Sequence, residues 1–201
     1  YNFKNSIFII FFFLLSCKTT KKEKPFKNFA IVSAKIEASK AGHKILKMGG
    51  NAFDAMIATD LALAVVYPNA GNLGGGGFMV YRQKSGENGS LDFREKAPIN
   101  AYKNMYLNDD GNVVKNSSNE GALSIGIPGT IAGLFEVYKK FGTLPIDSLF
   151  EPALSLAKNG FPLTNKQAKL FNLNKNKILI NSDSINLFKK DFKTDMIFKN
   201  K

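Results

Sequence analysis

Apolar and polar positions along this chain change period from block to block, and each period predicts an element. Ile7–Leu15 is an unbroken run of nine apolar residues. Phe29–Ser33 is a second, shorter apolar run and predicts a strand. From Ser33 to Met48 the apolar positions Ala34, Ala38, Ala41, Ile45 and Met48 recur at helical spacing, and Gly49–Gly50 closes that helix. Asn51 is placed to cap the next one, with Asp54 three residues on to complement the dipole. Ala52–Val66 is apolar almost all round, broken by Asp54, Thr59 and Asp60, as in a helix enclosed by a core. Tyr67–Pro68 stops it and delivers the chain to Gly74–Gly77, four consecutive glycines.

Beyond the glycines the period drops to two. Phe78–Arg82 and Leu91–Glu95 predict a strand pair around a turn at Gly86–Gly89, with Arg94 at the end of the second strand. Ala101–Leu107 predicts a short helix, and Asn108–Asn112 a turn. Ile127-Pro128-Gly129-Thr130 opens a further helix with proline in its first turn, burying Ile131, Leu134, Phe135 and Tyr138 and ending at Gly142. Ile146–Lys158 predicts another, closed by Asn159-Gly160. After Phe171 the chain is rich in Asn, Lys and Ile with weak periodicity. There is no internal repeat. Helices punctuated by glycine around a buried hairpin predict an α+β domain of stacked layers.

Composition changes this picture little. The 201 residues suffice for one domain with a core, and 44% hydrophobic content argues against disorder. The net charge of +12 suggests a nucleic-acid partner, but between Ala30 and Asn165 the charges nearly balance. The excess lies in the flanks, whereas a nucleic-acid binder needs a basic stripe on its folded part. No nucleic acid is therefore expected.

The N-terminal run is too short to span a bilayer as a helix, which takes about 20 residues. Lys4 precedes it and Ser16-Cys17 closes it, the layout of a secretory signal over residues 1–16. Leu14-Leu15-Ser16-Cys17 resembles a bacterial lipobox, which makes Cys17 the candidate lipidated residue; the alternative is an ordinary signal peptide that contains a cysteine. Residues 17–28 read as a polar tether and 29–201 as the folded portion. Cys17 is the single cysteine, so no intrachain disulfide is possible. The first residue is Tyr1, not Met, so further residues upstream are expected.

Candidate chemistry is sparse. The phosphate-binding pattern G-x-G-x-x-G fails because Met79 stands where the third glycine belongs. The pattern G-x-x-x-x-G-K fails because Gly77 stands where the lysine belongs. The glycines read as a tight strand entry packed under a neighbour, leaving room for substrate. Arg94 has two readings: a surface pair with Asp92 or Glu95, worth little, or a guanidinium that grips a carboxylate through two parallel hydrogen bonds. His43 is the only histidine and reads as a surface helix residue. Asp54 and Asp60, six apart, do not share a helix face and make no carboxylate dyad. No metal cluster, no cofactor motif and no catalytic nucleophile with its base can be assembled.

Several motifs nonetheless occur in order. They are Gly49-Gly50-Asn51-Ala52-x-Asp54-Ala55, Gly71-Asn72-Leu73-Gly74-Gly75-Gly76-Gly77-Phe78-Met79, Asp92-Phe93-Arg94-Glu95-x-Ala97-Pro98 and Pro128-Gly129-Thr130-x-Ala132-Gly133. Tyr138-x-x-Phe141-Gly142, Pro152-Ala153 and Ala157-x-x-Gly160-Phe161 follow. Together they resemble the N-terminal part of the large subunit of γ-glutamyltransferases (glutathione hydrolases), over about Phe29–Leu170. The resemblance implies an αββα sandwich of the N-terminal-nucleophile hydrolase type, incomplete in this chain. It implies a proenzyme that cuts itself into two subunits, with the new N-terminal threonine of the small subunit as nucleophile, outside this chain. The substrates implied are glutathione or other γ-glutamyl amides, with water or an amino acid as acceptor and no cofactor. Residue by residue, Arg94 matches the arginine that holds the α-carboxylate of the γ-glutamyl group, and Glu95 is a candidate to orient it. A related amide acylase and an inactive envelope lipoprotein of the same fold are the alternatives. The expected location is the cell envelope, facing periplasm or exterior, with membrane contact through the lipid anchor only. The 201-residue chain alone is expected to be inactive.

Overall fold

The computed structural model describes residues 28–71, 73–180 and 190–199. The signal-like run, Cys17 and most of the tether lie outside these residues. The unit from Ile31 onward contains five helices of a turn or more of α structure and two short sheets among the described residues. α1 is Ile36–Lys47 and α2 is Ala52–Val66. They pack closely because small residues line the crossing: a Cβ on Gly42 would come within 2.2 Å of Thr59 Oγ1. The turn between them is the expected one, with Gly49 at φ +92°.

The start of α2 carries a closely bonded polar cluster. Asn51 Oδ1 accepts from the amides of Phe53 and Asp54 at 2.8 and 2.9 Å, and Asp54 Oδ2 accepts from the Asn51 amide at 3.0 Å. This is a reciprocal capping box. Asp54 is fully buried and also accepts from the Thr143 amide at 3.0 Å and from the Thr143 hydroxyl. Asn51 Nδ2 donates to the Phe141 carbonyl at 2.6 Å. The cap therefore ties α2 to the end of α3 (Thr130–Phe141).

β1 (Phe78–Arg82) pairs antiparallel with β2 (Asn88–Asp92), Phe78 opposite Asp92 and Arg82 opposite Asn88. Alternation is clean. Met79, Tyr81 and Leu91 face the core, where Tyr81 meets Phe53 and Phe141 at ring separations of 5.6 and 4.9 Å. Phe78 and Val80 face outward, 65% and 85% exposed. α4 (Ile146–Asn159) ends at Gly160, φ +82°. The two-residue strand Phe161–Pro162 (β3) pairs with Ile197–Phe198 (β4). α5 (Asn165–Ile180) lies between them in sequence.

Several expectations need correction. Phe29–Ser33 is not a strand. The second strand of the hairpin is Asn88–Asp92, not 91–95, because the turn comes earlier: Gly86 takes φ +94° and the Gln83 amide bonds the Glu87 carbonyl at 2.7 Å. Residues 101–107 form turns rather than a helix, with bonds reaching back three residues; a stretch this short does not hold a helix without a well-buried face, and none of its residues is fully buried. Pro128 precedes α3 instead of lying in its first turn, and Gly129 is the cap. On that helix Gly133, Leu134 and Val137 are buried, while Phe135 is 48% exposed. α5 was not expected at all. It starts at a Thr164–Gln167 pair bonded in both directions at 3.2 and 3.3 Å, and buried Gln167 donates to the Val66 carbonyl at 2.8 Å.

Candidate functional site

The glycine stretch, the end of the hairpin and the start of α3 converge. Phe93 extends β2 by one bonded pair with Gly77, its amide donating to the Gly77 carbonyl at 3.0 Å. Next, Lys96 and Ile127 exchange amide–carbonyl bonds at 3.2 and 2.8 Å. The carbonyl of Gly75 accepts from the amides of Gly129 and Thr130 at 2.9 and 3.0 Å. Three segments distant in sequence are thus joined main chain to main chain.

The joint is tight because glycine faces Phe93 from four positions. A Cβ on Gly76 would stand 2.6 Å from the Phe93 carbonyl oxygen, and one on Gly129 only 1.9 Å from it. On the ring, a Cβ on Gly77 would reach Cε2 at 2.8 Å and one on Gly133 would reach Cγ at 2.3 Å. Contacts under 3.0 Å cannot be accommodated without movement, so the glycines are required for this packing. The expected role of the glycine run, a strand entry packed under a neighbour, fits this geometry.

Beside this joint lies a cleft of about 320 Å³, walled by Asp92, Phe93, Arg94 and Lys96 on one side and by Pro128, Gly129 and Gly133 on the other. Alternation through Leu91, Asp92, Phe93 and Arg94 carries on past the strand. Phe93 packs against the core with Leu91, whereas Arg94 is exposed with Asp92. Arg94 lies two residues past β2, and Asp92 Oδ1 accepts its amide at 2.9 Å. Arg94 Nε donates to Glu95 Oε2 at 3.2 Å, and the guanidinium carbon stands 6.0 Å from the Phe78 ring centroid. Among the described residues its two terminal nitrogens have no hydrogen-bond partner. With side chains 66% and 35% exposed, the Arg94–Glu95 pair adds little to stability. What it does is occupy Nε and leave the terminal fork available.

The other candidates resolve simply. His43 is exposed on α1 and does not line the cleft. Asp54 is a buried structural acceptor. Asp60 is half-buried without a hydrogen-bond partner among the described residues, and burial alone raises its carboxyl above the ordinary 3.8. No group of metal-ligating side chains occurs among the described residues. Phe93 is the residue that sequence reasoning passed over. The signal was Gly129 and Gly133, four apart, the spacing that places two glycines on one helix face.

A family model described as Gamma-glutamyltranspeptidase matches residues 38–199. The chain is 51% identical over 137 residues to a glutathione hydrolase proenzyme from Pseudomonas sp. (strain A14), covering 68% of this chain and 24% of that protein. Among solved structures, Helicobacter pylori gamma-glutamyltranspeptidase superposes with TM-score 0.82 at 44% identity, over 88% of this chain and 52% of that one. A gamma-glutamyltranspeptidase from Pseudomonas nitroreducens, complexed with L-DON, gives TM-score 0.77 at 39% identity, over 87% and 52%. The chain spans about a quarter of the length of the curated relatives it matches. The α+β fold expected from the sequence is the one found.

Proposed function

The chain belongs to the gamma-glutamyltranspeptidase family, and on that premise we propose that the protein it comes from transfers the γ-glutamyl group of glutathione or other γ-glutamyl amides to water or an amino acid. In this reading the acyl group passes through an ester on a threonine that lies outside this chain and is exposed by self-cleavage, its own amine acting as base. The segment described above supplies recognition: Arg94 holds the donor's α-carboxylate and Glu95 orients the guanidinium.

The observation that carries the reading is the state of Arg94. It lines the cleft with Nε engaged and both terminal nitrogens open. That leaves the end-on fork, whose parallel N–H groups match the spacing of two carboxylate oxygens. A free α-carboxylate separates a γ-glutamyl donor from glutamate within a peptide, so a fork of this kind selects the donor class.

Arg94→Lys in the complete protein keeps the charge and removes the fork. KM for a γ-glutamyl anilide should rise about thirtyfold, equivalent to about 2 kcal/mol, while self-cleavage persists. An unchanged KM would defeat the assignment. A companion proposal concerns the N-terminus: Cys17 is lipidated and residues 17–28 tether the protein to the cell envelope. Mass spectrometry of the mature N-terminus should find an acylated Cys17; an unmodified N-terminus at any other residue would rule this out.

A further inference from the structure

Glycine surrounds Phe93 on both its main chain and its ring, although Phe93 itself makes no polar side-chain contact. Its neighbour Arg94 is exposed, and among the described residues its side chain has one hydrogen bond, from Nε to Glu95, beside the Phe78 ring at 6.0 Å. Whatever fixes the guanidinium must therefore act largely through the main chain of residues 93 and 94. We propose that Phe93 is a positioning residue. Seated between Gly76 and Gly129 at its carbonyl and between Gly77 and Gly133 at its ring, it sets where Arg94 stands over the cleft, and so sets discrimination for donors that bear a free α-carboxylate.

The geometry separates two kinds of support. At Gly129 and Gly76 the close approach is to the Phe93 carbonyl, 1.9 and 2.6 Å from an added Cβ. At Gly77 it is to the far edge of the ring alone, Cε2 at 2.8 Å and Cζ at 3.0 Å. A methyl at Gly77 would therefore push the ring, and through it the backbone of Arg94. Leucine at position 93 lacks the atoms that such a methyl meets. A methyl at Gly129 would push the main chain, which no change of side chain at 93 can relieve.

This inference rests on Arg94 as the carboxylate-binding residue. The test uses the complete protein and two donors, γ-glutamyl anilide and 4-aminobutyryl anilide, which lacks only the α-carboxylate. Gly77→Ala should raise KM for the first about tenfold, with kcat changed by no more than about twofold, since a shifted fork weakens a contact to the α-carboxylate that is made equally in ground and transition states. KM for the second donor should move far less. Adding Phe93→Leu should restore most of the loss, a coupling expected of residues in contact. Phe93→Leu should not rescue Gly129→Ala.

Equal losses on both donors, or no rescue in Gly77→Ala/Phe93→Leu, overturn the proposal. Should Gly77→Ala not accumulate as self-cleaved protein, Phe93→Leu alone decides: an unchanged ratio of KM between the two donors overturns it. Failure of the Arg94 reading itself is seen separately, as Arg94→Lys without a KM effect.

Discussion

The hairpin β1–β2 has two faces built by one alternation and set in opposite surroundings. Met79, Tyr81, Leu91 and Phe93 point into a core closed by α2 and α3. Phe78 and Val80 point the other way and are 65% and 85% exposed. On the inner side, every buried side-chain polar atom among the described residues has a partner. On the outer side, Phe78 and Val80 leave apolar surface uncovered among the described residues. One face is closed within these residues, and the other leaves two large apolar side chains in the open. Arg94, in phase with the outer face, belongs to the surface that is still open, while Phe93 belongs to the finished one.

The largest effect should come from breaking the finished side. Asp54 accepts three hydrogen bonds while fully buried. Asp54→Ala orphans those donors and should cost about 3 kcal/mol or more. The measurement is the thermal midpoint and the yield of self-cleaved protein; a midpoint shift under a degree would mean the cap is dispensable.

The next tests the open side. Residues 31–201 expressed alone should aggregate, because an exposed apolar hairpin face with free edges invites pairing. Phe78→Ser with Val80→Thr should raise the soluble fraction several-fold and leave the melting temperature of that fraction almost unchanged. A large fall in melting temperature would show that the outer face supports the core after all.

The smallest lies between the two. Asp60 is half-buried with a raised pKa. Below 3.8 it is neutral in both folded and unfolded states and costs nothing; as pH rises through its folded value, the native state must carry a poorly solvated charge and loses stability. Asp60→Asn should therefore stabilise modestly at neutral pH, a gain that vanishes below pH 3.8. Thermal midpoints of the two forms at matched pH values would show the trend; a gain that grows in acid would contradict it.

How much of this was legible in the sequence follows the same division. α1 and α2 were readable because Gly49-Gly50 and Asn51 mark their junction chemically. Arg94 was readable only as one of two alternatives from spacing, and the resemblance favoured the carboxylate-binding one. The hairpin was readable but displaced, because Gly86 and Gly89 both offer a turn and only the pairing of Phe78 with Asp92 selects the earlier one. α5 was hidden because its apolar residues bunch at its two ends, Ala168 to Leu173 and Ile178 to Ile180, with polar Asn174 to Lys177 between, and show no period; the Thr164–Gln167 cap was the available sign. The burial of α3 was read one step around, since Phe135 is the larger side chain but Gly133 is what Phe93 needs. Phe93 itself escaped because its partners lie on two segments, and the Gly129 and Gly133 spacing marks a close approach without saying which residue comes close.

The bond from Gly75 to the start of α3 has a last consequence. Leading amides of a helix commonly serve as a ready-made receptor for anions. Here the amide of the cap Gly129 and the first helical amide, from Thr130, are already engaged by a carbonyl. A negatively charged guest entering the cleft would meet a helix end whose Gly129 and Thr130 amides are spoken for, which shifts weight onto the two cationic side chains of the wall, Arg94 and Lys96.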